Sequence, residues 1–339
     1  MKAIKLIWYY NNALGRPEKK KIISRNRAYH GITVATGSLT GLAAIHKDFD
    51  LPIEGILHTD CPHYYHGAKD GETEEDFATR CAENLEKMIN FEGHDTVAAF
   101  FAEPVMGAGG VIIPPPTYFE KIQAVLKNYD ILLLADEVIC GFGRTGNLWG
   151  SQTFSMKPDM ISCAKSLSSG YIPISALMIS EPIYQALVDQ SEKLGLFGHG
   201  STYGGHPVAA AVALETINIY EERNIVDHVR AVSPRLQNGL HKFNNHHLIG
   251  EVRGIGLVGA LELVCDKNKK RSFDPKFGVG AFFQEQAEKE GLIIRAIGDN
   301  IAVCPPLIIV EEEIDELLKC LSRALEVTSD WINNKKLTT

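Results

Sequence analysis

The sequence predicts an α/β protein with a large domain, built on a mostly parallel sheet with crossover helices, and a smaller C-terminal α+β domain. Up to residue 205, short apolar runs typical of buried strands alternate with segments of helical periodicity. From residue 228 the pattern changes to a helix, a glycine-containing strand and several short elements. We therefore assign 1–205 to the large domain, 206–227 to a connecting helix and 228–339 to the small domain.

The composition is that of an ordinary soluble globular protein, with 45% apolar and 22% charged residues. A net charge of −8 and an isoelectric point near 5.9 argue against nucleic acid or an anionic membrane as a partner. No apolar run approaches membrane-spanning length. Seven scattered cysteines without a C-x-x-C pair indicate reduced thiols rather than disulfides or a metal site, and they predict a cytoplasmic protein.

The elements of the large domain follow from periodicity and from turn residues. The chain opens in an amphipathic helix that runs to about Asn12, and a second, charged helix is predicted within 71–86. The other predicted helices are Thr33–Ser38, Tyr118–Lys127 and the alanine-rich Val208–Arg223. The predicted strands are Lys20–Ser24, Ile56–Thr59, Val97–Phe101, Ile131–Ala135, Met160–Ala164 and Ile174–Ile179.

The small domain is predicted from shorter patterns. Its helices are one that runs to about Asn244, Phe282–Glu290 and the closing Glu311–Val327. Its strands are one strand with a glycine-kinked start at Glu251–Leu263 and two short ones at Leu292–Arg295 and Ile301–Val303.

Two charged side chains follow predicted strands of the large domain. Asp136 comes directly after the apolar run that ends at Ala135, and Lys165 comes after the run that ends at Ala164. In open α/β sheets, functional groups lie just past the carboxyl ends of strands. A lysine there can form a Schiff base with an aldehyde, and an aspartate can hold a proton on a pyridine nitrogen. A carboxylate-bound metal, a plain strand-end turn and a solvated lysine fit the same spacing.

The sequence motifs around Asp136 and Lys165 distinguish between these interpretations. The segments ADEVICGFGRTG, at 135–146, and AKSLSSGYIPI, at 164–174, closely resemble the class III aminotransferases. These are pyridoxal-phosphate enzymes of fold type I, and the chain looks most like their ω-amine:pyruvate branch, from about Ala3 to the C-terminus. The resemblance implies a transaminase that moves an amino group from an amine or ω-amino acid to a keto acid such as pyruvate. It also implies pyridoxal 5'-phosphate as cofactor, Lys165 as its Schiff-base lysine and Asp136 as the partner of its ring nitrogen.

Further roles are implied by the same resemblance, position by position. Tyr29, in the word YHG, stacks on the pyridine ring and borders the substrate, and Glu103, in AEPV, lies near the phenolic edge of the cofactor and the bound amine. Val138 contacts the cofactor. Thr202 reaches across a homodimer interface to the cofactor phosphate of the partner, so that the active sites are shared. Arg295 binds a substrate carboxylate through its guanidinium fork.

The residues alone allow plainer interpretations of these positions. Tyr29 would be a core tyrosine beside a turn, and the loop at 197–207 would be a flexible glycine-rich loop. Arg295 would be a surface arginine at a strand end. For His30 we favour a structural, hydrogen-bonding histidine over a ligand or a base.

The start of the chain departs from the family pattern. The first helix has no N-cap before it, whereas relatives carry a preceding Gly-Ser turn whose backbone N–H groups bind the cofactor phosphate. We therefore expect an N-terminally truncated member of the family. The missing turn leaves open an inactive fragment that binds pyridoxal phosphate weakly or not at all. A separate alternative is another class III reaction of the same fold, such as decarboxylation.

Overall fold

The computed structural model describes residues 2–337, which form two compact units. The first unit contains the residues up to 105, 114–142 and 149–223. The second contains 106–113, 143–148 and the residues from 224 onward. Two short segments of the first half of the chain therefore pack with the C-terminal part.

A six-stranded sheet forms the centre of the first unit. Its strand order is β2-β1-β3-β4-β5-β6, and every neighbouring pair is parallel except β5–β6. The strands are β1 (Lys21–Arg25), β2 (Ile56–Thr59), β3 (Val97–Ala102), β4 (Leu132–Asp136), β5 (Met160–Cys163) and β6 (Ala176–Ile179). The carboxyl ends of β1, β3, β4 and β5 therefore meet at one edge of the sheet.

Nine described α-helices belong to this unit. They are α1 (Lys2–Ala13), α2 (Val34–Leu39), α3 (Ala43–His46), α4 (Tyr64–Gly67), α5 (Glu74–Glu92), α6 (Tyr118–Asn128), α7 (Gly150–Thr153), α8 (Glu181–Leu194) and α9 (Pro207–Glu222). None of the helices in the described part of the chain has both the length and the apolar character that a membrane crossing requires.

The two faces of the sheet pack against different helices. On β4, Leu133 and Ala135 join the apolar cluster formed with α5 and α6, whereas Leu132 and Leu134 join the cluster formed with α1 and α8. Successive side chains of a strand point to opposite faces, which explains this alternation. Full burial of one such leucine contributes roughly 1.5–3 kcal/mol. The rigid packing on both faces fixes the direction in which the next residue, Asp136, leaves the strand.

An antiparallel sheet and three helices dominate the second unit. The strand order is β7-β8-β10-β9. The strands are β7 (Ile249–Ile255), β8 (Val258–Leu263), β9 (Arg295–Ile297) and β10 (Asn300–Val303), and the helices are α10 (Ile225–His241), α11 (Val279–Lys289) and α12 (Glu311–Lys335). The predicted fold class is confirmed: a mostly parallel sheet with crossover helices, and a smaller region of strands and helices.

One predicted strand is wrong. Glu251–Leu263 is not a single kinked strand but the hairpin of β7 and β8, which turns at Gly256 and Leu257. Gly256 has a φ of 58°, in the left-handed region that favours glycine, and a Cβ there would meet the backbone of Arg144 and Thr145. The glycine therefore reverses the chain rather than kinking it.

Other differences concern strand starts and one helix. The predicted strands at Ile174 and Leu292 begin later, at Ala176 and Arg295, where hydrogen-bonded pairing with β5 and β10 begins. Helix α8 had no counterpart in the sequence analysis. Its signals are present: Ser180 stands at the N-cap, a proline follows in the first turn, and Gly195 ends the helix with a φ of 69°.

Two helical glycines of the second unit provide a matched test of packing. A Cβ at Gly280 would meet the backbone carbonyl of Gly298, whereas a Cβ at Gly239 would meet only the flexible end of Leu318. We expect Gly280→Ala to lower the free energy of unfolding by about 1–3 kcal/mol because the backbone must move. Gly239→Ala is expected to cost less, since Leu318 can change rotamer. Urea unfolding measures both, and equal losses would contradict the packing described here.

Candidate active site

Asp136 is the last residue of β4, and its carboxylate is held at both oxygens. Oδ2 lies 2.8 Å from Nδ1 of His30, and Oδ1 accepts the backbone N–H of Val138 at 3.2 Å. A carboxylate only accepts hydrogen bonds, so Nδ1 of His30 carries the donated proton. The side chain of Asp136 is 12% exposed and that of His30 2%. The carboxylate is therefore ordered, mostly buried and still accessible at the edge of the sheet.

His30 is itself fixed by its surroundings. Its backbone N–H donates to Oγ1 of Thr40 at 2.9 Å, and the same hydroxyl donates to the carbonyl oxygen of Gly31 at 3.0 Å. The imidazole packs edge-to-face against Phe101 of β3, with ring centroids 6.1 Å apart. His30 therefore acts as a rigid support for Asp136, as expected for a structural, hydrogen-bonding histidine.

Lys165 lies just beyond the neighbouring strand. Asp136 pairs with Ser162 of β5, and Lys165 begins a short 3₁₀ turn three residues after Ser162. The side chain is exposed, and its backbone has a φ of 39°, a left-handed conformation that a residue with a Cβ rarely adopts. Such strain is characteristic of functional positions that the surrounding structure fixes. Here the hydroxyl of Tyr220 donates to the carbonyl oxygen of Ser166 at 2.7 Å and holds the turn.

Glu103 and Tyr29 complete the same edge of the sheet. Glu103 directly follows β3, is 4% exposed, and accepts the backbone N–H of Tyr29 at its Oε1 over 3.0 Å. Arg25, at the end of β1, donates to the carbonyl oxygen of Glu103 at 2.6 Å. Burial raises the pKa of the Glu103 carboxyl, and the nearby His30 opposes this shift. The structure thus brings Tyr29, His30, Glu103 and Asp136 together.

The other predicted site residues lie in different settings. Val138 is half-buried and follows Asp136 closely. Thr202 is exposed, in a turn of the first unit. Arg295 is exposed as well and is the first residue of β9 in the second unit. The roles in cofactor and substrate binding that we assigned to these three residues, and the stacking of Tyr29, stay predictions.

The start of α1 offers positive charge near the loop that contains Thr202. Nζ of Lys2 donates to Oγ of Ser201 at 3.3 Å, and Nζ of Lys5 donates to the carbonyl oxygen of Gly198 at 2.7 Å. The first N–H groups of a helix add a partial positive charge. This arrangement suits an anionic group such as a phosphate.

The chemistry of these groups fits pyridoxal phosphate. Asp136 provides an acceptor-only carboxylate for a protonated ring nitrogen, and Lys165 provides a primary amine for an aldehyde. One buried acid was missed as a site residue: Glu137, the neighbour of Asp136, accepts two backbone N–H groups. The sequence did contain a signal for Glu137: it is the second of two acidic residues at the end of a buried strand, so its side chain points to the face opposite that of Asp136.

Solved structures share this fold. A structure titled "Transaminase with L-ala" has a TM-score of 0.96 and 54% identity, over 97% of this chain and 78% of the other. The ω-transaminase from Pseudomonas jessenii, in complex with PMP, has a TM-score of 0.96 and 51% identity, over 98% and 73% of the two chains. The fold is therefore that of pyridoxal-phosphate enzymes of fold type I.

The family follows from the sequence comparisons. The sequence model of the family "Aminotransferase class-III" matches residues 1–325, and the chain belongs to this family. A γ-aminobutyrate transaminase 3 of Solanum lycopersicum, named as chloroplastic, is 54% identical over 98% of this chain and 64% of its own length. A γ-aminobutyrate transaminase 1 of Oryza sativa subsp. indica, named as mitochondrial, is 53% identical over 98% of this chain and likewise 64% of its own length. The chain thus spans a little under two thirds of the length of these two relatives.

We predict that His30→Gln lowers kcat of the proposed aminotransferase reaction roughly 10- to 100-fold, because the longer amide side chain does not reproduce the hydrogen bond from Nδ1 to the Asp136 carboxylate. The control is His94→Gln, because His94 also contacts an aspartate, Asp95, at 3.1 Å but is 54% exposed. Steady-state kinetics with protein of known cofactor content measures both variants. An unchanged kcat in His30→Gln would show that Asp136 does not depend on this contact.

Proposed function

We propose that this chain is a pyridoxal-phosphate-dependent aminotransferase that transfers an amino group from an amine or ω-amino acid to a keto acid such as pyruvate. The observation that carries the proposal is the pairing at adjacent strand ends. Asp136 is held by His30 at 2.8 Å after β4, and Lys165 stands in a strained turn after β5. Membership of the class III aminotransferases and the names of the relatives support the same activity.

Lys165, Asp136, Tyr29 and Val138 would hold the ring of the cofactor, and Thr202 would contact the cofactor phosphate of a partner subunit. When bound, pyridoxal phosphate supplies an aldehyde that condenses with primary amines and a protonated ring that accepts electron density. Asp136 keeps the proton on the ring nitrogen, because an adjacent anion in a mostly buried site favours the charged form of a base. Lys165 would act as general base toward the substrate carbon and then as general acid toward the aldehyde-derived carbon of the cofactor within one half-reaction, and in the opposite order in the other.

The substrate class follows from charge. We propose that Arg295 binds the carboxylate of an ω-amino acid or of the keto acid, since a guanidinium can donate two parallel N–H bonds to the two oxygens of a carboxylate. The names of the γ-aminobutyrate transaminases and of the ω-transaminase support an amine distant from the carboxylate.

We propose a homodimer with shared active sites. Support comes from apolar side chains of the first unit that a monomer leaves in water: Tyr203 is 79% exposed and Leu196 70%, and Val208 and Leu214 of α9 are also exposed. Thr202 lies within the same stretch, where the partner's cofactor phosphate is expected. Light scattering coupled to gel filtration tests the dimer.

For the compartment we propose the cytoplasm. The seven cysteines are all free, as a reducing environment requires. Fluorescence microscopy of the tagged chain in its native cell provides the test, and import into an organelle would exclude this location.

Replacing Lys165 by alanine is expected to abolish turnover, because the chain loses both the amine that anchors the cofactor and the base that moves the proton. The control is Lys157→Ala, an exposed lysine shortly before β5. The measurement is pyruvate-dependent conversion of a panel of amines and ω-amino acids. Full activity in Lys165→Ala would reject the assignment, and release of carbon dioxide from the donors would indicate a decarboxylase instead.

Asp136→Asn is expected to lower kcat at least about 100-fold while cofactor uptake persists, because an amide does not supply the negative charge that holds the ring proton. A deuterium isotope effect on the substrate carbon should increase as proton abstraction becomes rate-limiting. Asp95→Asn, at the exposed histidine–aspartate pair, is the control. A near-normal rate in Asp136→Asn would count against the role of this anion.

A further inference from the structure

Glu137 and Asp136 leave the end of β4 toward opposite faces of the sheet. Asp136 continues the alternation of Leu132 and Leu134 and contacts His30. Glu137 continues that of Leu133 and Ala135, on the face covered by α5 and α6. It is 1% exposed, and nothing in the proposed chemistry uses it. A buried acid beside the catalytic aspartate therefore needs its own explanation.

Both carboxylate oxygens of Glu137 are bound by consecutive backbone N–H groups. Oε2 accepts from Gly150 at 2.9 Å and Oε1 accepts from Ser151 at 2.6 Å. Two donors facing two oxygens match a carboxylate, whereas the O–H of a carboxylic acid would face one of the donors. Burial raises the pKa of this carboxyl, and the hydrogen bonds from Ser151 and Gly150 oppose the shift. The contact closes the loop from residue 137 to residue 151.

The backbone of Glu137 is fixed as firmly as its side chain. Its N–H donates to the carbonyl oxygen of Ser162 on β5 at 2.8 Å, and its own carbonyl oxygen accepts the N–H of Gly141 at 2.8 Å. Only the bonds around one peptide unit separate this anchored residue from Asp136. A displacement of Glu137 is therefore transmitted to the Asp136 carboxylate.

The packing around Gly150 leaves no room for a side chain at this position. A Cβ on Gly150 would lie 2.6 Å from Cβ of Cys140 and 2.9 Å from Cβ of Pro104. Cys140 and Pro104 are both buried. Pro104 directly follows Glu103, so the segment that Glu137 holds also packs against the chain that positions the second acid of the site.

We propose that Glu137 is a positioning residue, which through its bonds to Gly150 and Ser151 fixes the end of β4 and so keeps the Asp136 carboxylate on His30. The inference deepens the proposed function and rests on it for its catalytic meaning. The structural part of the proposal concerns only residues of this chain, so it can be tested without measuring enzymatic turnover.

The test records long-range ¹H–¹⁵N NMR spectra of the histidine rings in the cofactor-free chain of 339 residues. The His30 signals are assigned by their loss in His30→Gln. In Glu137→Gln, one oxygen becomes a donor that faces an N–H, so we expect the His30 ring signals to shift in the direction seen in Asp136→Asn. The catalytic consequence is a roughly 10-fold lower kcat per bound cofactor with an unchanged KM for the keto acid.

Asp159→Asn is the matched control. Its carboxylate also accepts a backbone N–H of β4, that of Leu133 at 2.8 Å, but at the opposite end of the strand. The melting temperature should fall in this variant while the His30 signals stay in place. The inference fails if the His30 signals of Glu137→Gln coincide with those of the wild type, because a lower melting temperature alone is what a merely structural residue would show.

A milder variant covers the case in which Glu137→Gln does not fold. Ser151→Ala removes the hydroxyl that also binds the Glu137 carboxylate and keeps the backbone N–H. A smaller His30 shift in the same direction supports the inference, and wild-type signals overturn it. If the shift is present but no amine is converted, the positioning stands and the proposed transaminase activity fails, so the two failures are distinguishable.

Discussion

A single carboxylate, that of Asp136, is held by two hydrogen bonds at the end of a strand, and the rest of the first unit is arranged so that it stays there. The imidazole of His30 binds one oxygen and the N–H of Val138 binds the other. In a solvent-exposed position, the same carboxylate would exchange its hydrogen-bond partners freely. The apolar clusters on both faces of β4 provide the rigid strand from which it projects, and burial of its surroundings strengthens its field.

The parallel pairing of the strands brings further functional side chains close to Asp136. Because β1, β3, β4 and β5 run in the same direction, their following residues meet at one edge. His30, Glu103, Asp136 and Lys165 come from four separate stretches of sequence: Asp136 ends β4, and the other three follow β1, β3 and β5. The strain at Lys165 is stored at this edge too, which is where a covalent anchor for a cofactor requires a fixed orientation.

The sequence alone predicted an element correctly where its pattern favours one type of secondary structure. The apolar runs before Asp136 and Lys165 predicted buried strands because they are too short for a typical helix and are bounded by turn residues. The stretch around Gly256 was ambiguous, since a glycine permits either a kink or a reversal and only pairing of the two flanking strands decides. Likewise, the bond from His30 to Asp136 and those from Glu137 to Gly150 and Ser151 join residues far apart along the chain or across a loop. Their geometry depends on tertiary packing that no local pattern encodes.

The central claim is that Lys165 is the residue to which the cofactor attaches, across from the anion of Asp136. The most direct measurement is to incubate the chain with pyridoxal phosphate, reduce it with borohydride and map the labelled peptide by mass spectrometry. We expect a single stable label on Lys165, with the visible absorbance of the bound aldehyde lost on reduction. A label on another lysine, or none at all, would contradict it.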